Sequence, residues 1–480
     1  MGEVKRSIIK NVTTIDESGE VRRAQRVVIA GGVIESVGRE PEGPGDTLVK
    51  GEATSVDGTG LFLSPSLVNL HTHLPMNILK GIAEDVSVDD WFNRKIWPYE
   101  SSMEQEDIVA GVRLGIAECF ANGVSAAADH YFSADLICTE SLSAGMRLDI
   151  SPTLFGLAGE YDRQLDGAQE IIEEFNGKEG MIRTRLGPHA PYTCNLEQLK
   201  QTAGRAARLG VGAHIHVSES AAQLRESLAT HGKTPLALIA ESGLLEVPTI
   251  LAHGVYFTEE DHALLAAAEQ VTAAHQAGGS ERACAGAGSG APGSSARGPA
   301  RSPGSSARGP VMVLCPKTYQ KLGTGIGEPL NDLSRWPVTI GTDGAASSNT
   351  LSPLEQARLL GLWAKNRSGS GETLPARELW RILMRGHEVL GFGSGRLAVG
   401  AAADLILWDL EDPATQPIYD PLSAIVYSSH AGNVDTLWVA GGRVKGKGRV
   451  EMDLAALYQE ARERVGRLIR RGRGETKLVY

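Results

Sequence analysis

The first sixty residues alternate between short β-branched runs and turns. "SIIKNV", "RRAQRVVIAGGVIESVG" and "ATSVDGTGLFLSPS" are cut by Gly and Ser and carry no helical period, so they predict short strands. From about residue 101 the texture changes, and long helical stretches alternate with short apolar ones. "EQEDIVAGVRLGIAECFANG" is followed by "VSAAADHY", "LEQLKQTAGRAARLG" by "VGAHIHV", and "TPLALIAESGLL" by "TILAHGV". Repeated helix and strand of this size predict a parallel sheet, and this many units over about 300 residues predict a closed barrel of eight strands and eight helices. After the amphipathic "ARELWRILMRGHEVLG" the strand texture returns in "GAAADLILWDL" and "VDTLWVAGGRVKGKG".

Chain ends that share one texture often share one domain. The expected fold is therefore α/β, a (β/α)8 TIM barrel inserted in a small β-sandwich formed by both chain termini. Residues 1–62 and 392–452 are the two parts of the sandwich, 63–391 the barrel, and 453–480 a tail and the helix "LAALYQEARERVGRLIRR", packed on the outside. One stretch interrupts this scheme. Residues 276–310, "QAGGSERACAGAGSGAPGSSARGPARSPGSSARGP", contain almost no large apolar side chain and repeat "PGSSARGP". Such a segment buries too little surface to offset the entropy of ordering it, so it is expected to be a disordered insertion or the product of a damaged reading frame. It separates "VTAAH" from "VMVLCPKTY", either of which can supply the seventh barrel strand.

Composition narrows the partners. A length of 480 residues suits a large barrel with an accessory unit. With 58 acidic against 47 basic residues the formal charge is -11, which argues against nucleic acid or an anionic membrane as a partner and leaves a small neutral or cationic substrate. No run approaches the roughly 18 apolar residues of a membrane helix, and "MGEVKRSIIKNVTTIDESG" lacks the apolar core of a signal peptide, so a cytoplasmic protein is expected. Cys119, Cys138, Cys194, Cys284 and Cys315 are scattered without CxxC spacing. Neither a disulfide framework nor a thiolate zinc site follows from them, and any metal must be held by His and carboxylate. A homo-oligomer is compatible with the chain, but no stretch specifies a subunit interface.

The chemistry concentrates at strand ends. In "VNLHTHLP", His71 and His73 stand two apart, and on a strand positions i and i+2 point to the same side, which makes a chelate. "GAHIHVSES" repeats the device with His214 and His216, and Glu219 follows one short turn later. His216 is the residue expected at the site, with His214 pointing away from it. "TILAHGV" puts His253 at the end of the next strand, and "VTIGTDGAASSNT" puts Asp343 at the end of a later one. Taken singly, each pair reads equally well as solvated surface histidines. Because all strand C-termini of a parallel barrel open on one face, the four matches together predict a shared centre. Imidazoles and one carboxylate suit a single divalent ion, with Zn²⁺ expected and Fe²⁺ or Mn²⁺ accepting the same set.

This order of motifs, HxH, HxxE, His and then "TDG", resembles the amidohydrolase superfamily of metal-dependent barrels. The stretches "HTHLPMNILKGIAEDVSVDDWFNRKIWPYE", "GPHAPYTC" and "GTDGAASSNTLSPLEQARL" are similar, more narrowly, to 5-methylthioadenosine/S-adenosylhomocysteine deaminases and their chlorohydrolase relatives. The resemblance spans nearly the whole chain apart from the insertion. It implies that His71, His73, His216 and Asp343 hold one metal, that Glu219 and His253 handle protons, and that Glu100 and His189 contact the substrate, together with Glu219 and Asp343. It also implies a hydrolytic deaminase of an adenosine-like nucleoside.

Physical chemistry fits those roles. A metal with an open position lowers the pKa of its water to about 7, Asp343 can accept the released proton, and Glu219 can donate to a ring nitrogen if a dry pocket raises its pKa. Trp91, Phe92 and Trp97 flank Glu100 and can wall a purine pocket. A homocysteine carboxylate needs a cation, and Arg163 lies in a suitable stretch, "GEYDRQLDG". Two alternatives remain open at this stage. One keeps the metal and changes the ring, to guanine, an oxidised purine, pterin, cytosine or a chlorotriazine. The other is an inactive nucleoside-binding barrel damaged by the insertion.

Overall fold

The computed structural model describes residues 6–41, 53–157, 159–270, 309–325, 333 and 336–473. The chain begins with β1 (Arg6–Ile15), β2 (Val21–Ala30), β3 (Val33–Arg39), β4 (Ala53–Asp57) and β5 (Phe62–Pro65). Eight parallel strands follow: β6 (Leu67–Thr72), β7 (Val124–Tyr131), β8 (Arg147–Leu154), β9 (Ile182–Pro188), β10 (Gly212–Val217), β11 (Thr249–His253), β12 (Val311–Leu314) and β13 (Val338–Ile340). The chain then returns to its first sheet through β14 (Leu405–Trp408), β15 (Val434–Val439), β16 (Gly442–Gly446) and β17 (Arg449–Val450).

The two termini thus form one nine-stranded sheet in the order β17-β16-β15-β14-β5-β1-β2-β3, with β4 also paired to β1. Its internal seam is the antiparallel pairing of β14 with β5, from Leu405 opposite Pro65 to Trp408 opposite Phe62. β-Branched and aromatic side chains from both ends fill its core, among them Ile9, Val27, Ile34, Leu63, Leu405 and Trp438. The second sheet runs β6 to β13 in sequence order, as a barrel requires. Its strands are covered on both faces, which is why β6, β7, β10 and β11 are buried at every position and read as continuous apolar runs. The surrounding helices show the complementary pattern: Tyr161–Phe175 buries Tyr161, Leu165, Ala168, Ile172 and Phe175, one stripe at helical spacing.

Barrel closure and the candidate site are the same place. The backbone N–H groups of Thr342 and Asp343, just past β13, donate to the carbonyl of His71 on β6 at 2.9 and 3.0 Å. Asn69 reinforces the seam, accepting from the Thr342 N–H at 3.0 Å and donating to its hydroxyl at 2.7 Å. Gly341 permits the approach, since a Cβ there would lie 2.7 Å from the His71 Cβ.

Of the two candidates for strand seven, the structure uses "VMVL". β12 pairs with β11 through Ile250–Val311 to Ala252–Val313, and with β13 through Met312–Val338 to Leu314–Ile340. "VTAAH" and the low-complexity stretch up to residue 308 lie outside the described residues. The C-terminal helix Leu454–Arg471 lies against helix Gln105–Ala121, tied by Arg113 to Glu460 and by Arg471 to Glu104 and Asp107. Among the described residues no helix is long and apolar enough to cross a membrane.

Candidate metal centre

The C-terminal ends of six strands, β6, β7, β9, β10, β11 and β13, deliver side chains to one point. Donor atoms of His71, His73 and Asp343 all lie within 4.8 Å of one another, and so do those of His71, His216 and His253. His71 belongs to both groups, so the two sets form one centre. The backbone is bent to achieve this: His253 has φ +77° and Asp343 has φ +63°, left-handed conformations that non-glycine residues rarely adopt and that cluster at functional sites.

Hydrogen bonds on the far side of each ring aim the near side. His73 Nδ1 donates to the His130 carbonyl at 2.7 Å, and His216 Nδ1 donates to the His189 carbonyl at 2.8 Å. A neutral imidazole with its proton on Nδ1 presents a lone pair at Nε2, the form a metal needs. His71 Nδ1 lies 2.9 Å from His214 Nε2, which leaves His71 Nε2 fully buried with no hydrogen-bond partner. An orphaned buried nitrogen is costly unless something binds it. Asp343 completes the set, with Oδ1 at 3.2 Å from His73 Nε2 and 3.8 Å from His71 Nε2. Its other contacts are donors: the Gly344 N–H at 2.6 Å to Oδ1 and the Ser347 hydroxyl at 2.8 Å to Oδ2. These residues fit a divalent cation.

Electrostatics points the same way. Burial and the neighbouring imidazoles hold His71 and His216 far below the ordinary histidine range, so both rings are neutral donors. Burial also disfavours charge on His73 and on Asp343, but their mutual attraction wins and shifts the first up and the second down. The proton that His73 keeps beside Asp343 is what a cation replaces, since metal binding releases ligand protons.

Glu219 and Glu100 behave differently from Asp343. Burial raises the Glu219 carboxyl, against the opposing pull of His253 and of the Tyr192 hydroxyl, which donates to its Oε1 at 2.8 Å. Glu219 Oε2 stands 3.8 Å from His253 Nε2. Glu100, on the short helix Trp97–Glu100, is also buried and raised, with the Tyr131 hydroxyl and His73 acting against the shift. His189 stacks on Phe155 with ring centroids 4.4 Å apart, and its Nδ1 meets the Thr193 hydroxyl at 2.9 Å. Two hollows meet at Asp343 and Trp91. One, open to solvent on one side, spans about 540 Å³ between Glu100, His189, Phe92, Trp97 and Phe155. The other, also partly open, spans about 340 Å³ beside Glu219, His253, Gln223 and Tyr319.

All eight residues singled out from the sequence, His71, His73, Glu100, His189, His216, Glu219, His253 and Asp343, therefore line or adjoin one pocket. One expectation fails. His214 does not point away: it bonds His71 from inside the barrel, because residues two apart on β10 share a face and His216 is two apart from it. Arg163, weighed for a substrate carboxylate, has an 82% exposed side chain paired with Glu160 at 3.4 Å. Sequence reasoning missed His130, whose carbonyl holds His73. It ends the apolar run "VSAAADHY" just as His253 ends "TILAH", so the same signal marks it. Tyr192 and Tyr319 carry no such signal, since their value depends on which acid or base the fold puts beside them.

A model of the amidohydrolase family matches residues 62–444. The chain is 33% identical over 419 residues to the 5-methylthioadenosine/S-adenosylhomocysteine deaminase of Moorella thermoacetica, an alignment covering 86% of this chain and 88% of the relative. It is 32% identical over 406 residues to the 5'-deoxyadenosine deaminase of Methanothermobacter thermautotrophicus, covering 83% and 85%. Among solved structures, an adenosine deaminase from Xanthomonas campestris with bound zinc superposes with a TM-score of 0.83 at 27% identity, covering 97% of this chain and 98% of that one. With the strand-end histidines, the barrel and these matches in agreement, the chain belongs to the amidohydrolase family and is a hydrolase acting on C–N bonds.

Proposed function

We propose that this protein is a metal-dependent deaminase of an adenosine-like nucleoside, with 5'-methylthioadenosine and S-adenosylhomocysteine the first substrates to test. His71, His73, His216 and Asp343 are the ligands of one divalent ion, with zinc the expected metal. When bound, that ion supplies Lewis acidity that brings the ionisation of water toward neutral pH.

The observation that carries the reading is Glu219: a buried carboxyl with raised affinity for its proton, held by Tyr192 and placed beside His253 and the donor cluster. Hydrolytic deamination of an aminopurine requires such a group. As water oxygen adds to the amine-bearing carbon, Glu219 protonates the adjacent ring nitrogen and Asp343 takes the proton that the water gives up. Asp343 passes that proton to the amine, the carbon–nitrogen bond breaks and ammonia leaves, while the ring keeps the oxygen and the proton on its nitrogen. His253 donates a hydrogen bond to the tetrahedral carbon's oxygen. Glu100 accepts from ribose hydroxyls, and His189, stacked on Phe155, contacts the base. The in-register pairing of β12 with both neighbours argues against a barrel disabled by the low-complexity insertion.

The test is ammonia release from adenosine, 5'-deoxyadenosine, methylthioadenosine and S-adenosylhomocysteine, with metal quantified in the same preparation. Turnover of at least one of them supports the reading. Bound metal with no ammonia from any aminopurine nucleoside would remove it.

A further inference from the structure

His253 raises a question that the donor cluster alone leaves open. A nitrogen of its ring lies within 4.8 Å of donor atoms of His71 and His216, as a metal ligand's would, yet its Nε2 also faces Glu219. A neutral imidazole cannot do both things with one nitrogen: a ligand needs a lone pair at Nε2, a donor needs a proton there.

The far side of the ring decides it. His253 Nδ1 lies 3.3 Å from the hydroxyl of Tyr319, which sits on the short helix Pro316–Leu322 directly after β12. Tyr319 is 2% exposed, and a hydroxyl buried to that degree pairs with a neighbouring group. One lone pair of that oxygen is taken, because the Cys315 backbone N–H donates to it at 2.8 Å. An amide nitrogen accepts nothing, and the Cys315 thiol is only a weak acceptor. Among the described residues, the partner left to receive the Tyr319 proton is His253 Nδ1. This arrangement differs from that of His73 and His216, whose Nδ1 atoms face carbonyls and must donate.

We propose that Tyr319 is a positioning residue that locks His253 in the Nε2–H form, making it a hydrogen-bond donor into the pocket and excluding it from the ligand set. The Nε2 proton then points toward Glu219 and the reacting centre, where a donor stabilises developing negative charge on oxygen. No role for Tyr319 is evident from its sequence context, and the assignment rests on the metal-centre reading above but not on which nucleoside is turned over.

The test uses the full-length protein labelled with ¹⁵N at histidine. Long-range proton–nitrogen correlation, in metal-free and metal-loaded samples and with His253→Gln to assign the ring, reads the tautomer directly. The expected result is an acceptor Nδ1 and a protonated Nε2, with His253→Gln keeping its full metal content. In Tyr319→Phe the Nε2–H population should fall, and kcat should drop roughly 10- to 100-fold, less than the ~10²–10³ for removing an oxyanion donor outright, with KM and metal content unchanged. A protonated Nδ1 in the wild-type protein, or loss of metal in His253→Gln, overturns the proposal. So does a Tyr319→Phe variant with wild-type kcat and unchanged nitrogen signals. The nitrogen signals need no substrate, so an error in the nucleoside assignment leaves this test intact, and the wild-type tautomer needs no Tyr319 variant, so a misfolded Tyr319→Phe does too.

Discussion

Glu219 and Asp343 are both buried carboxylates in one pocket, yet their surroundings drive them in opposite directions. Asp343 meets an imidazole, a backbone N–H and a hydroxyl, all donors, and stays ionised. Glu219 has the Tyr192 hydroxyl and the pull of His253 against it, and burial dominates. In the proposed reaction, splitting two carboxyl groups this way separates a proton acceptor from a proton donor. Glu219→Gln should therefore keep its metal and lose roughly 10²- to 10⁴-fold in kcat, the range for a general acid. Wild-type turnover in that variant would remove the proton-donor role. His73→Ala or Asp343→Ala should instead lower the metal content and abolish turnover together, measured by metal analysis on the purified variants. At this scale the sequence was legible wherever a histidine or acid ended an apolar run. It was silent on Tyr192 and Tyr319, because a tyrosine's function depends on a partner chosen in three dimensions.

At the scale of elements, β10 shows how one strand can build two layers of a site. His216 faces the centre directly, and His214, one pleat below, supports His71 from behind. Removing such an outer partner frees the ligand ring to rotate. His214→Ala should weaken metal binding by about 10- to 100-fold while leaving the described ligands in place. Competition with a metallochromic chelator checks this, and unaltered affinity would mean that His71 needs no such support. The sequence pattern identified β10 through "GAHIHV" and identified both histidines. The direction assigned to His214 went wrong through a parity error that the two-residue period of a strand forbids. The helices were readable for a complementary reason: their apolar stripes, as in Tyr161–Phe175, follow the 3.6-residue period over four turns.

For the whole molecule, a buried ion pair links the terminal sheet to the barrel. Arg147 on β8 donates to Asp404, just before β14, at 2.8 Å, and the same carboxylate accepts from the Ala440 N–H at 2.7 Å. The Arg147 and Asp404 side chains are 6% and 0% exposed. Arg147→Ala leaves a buried carboxylate without its cation and should cost about 3–5 kcal/mol, read as a lower unfolding midpoint with the metal centre unchanged when folded. An unaltered midpoint would show that this ion pair does not hold the two units together. The low-complexity insertion calls for a different measurement. Since β12 pairs on both sides, replacing residues 276–310 with a short Gly-Ser linker should preserve metal content and kcat. Loss of either would make that stretch part of the working enzyme.

The chain alone determined the alternation of strand and helix, the return of strand texture at its end, and the set of residues able to bind a cation. These are local or periodic properties, written in consecutive side chains. Only the tertiary structure decided that "VMVL" is the seventh strand, that the barrel closes through His71 and Asp343, and which nitrogen of each imidazole faces inward. Those outcomes depend on residues hundreds of positions apart meeting at hydrogen-bond distance, as Asn69 meets Thr342, and no short stretch of sequence contains that distance.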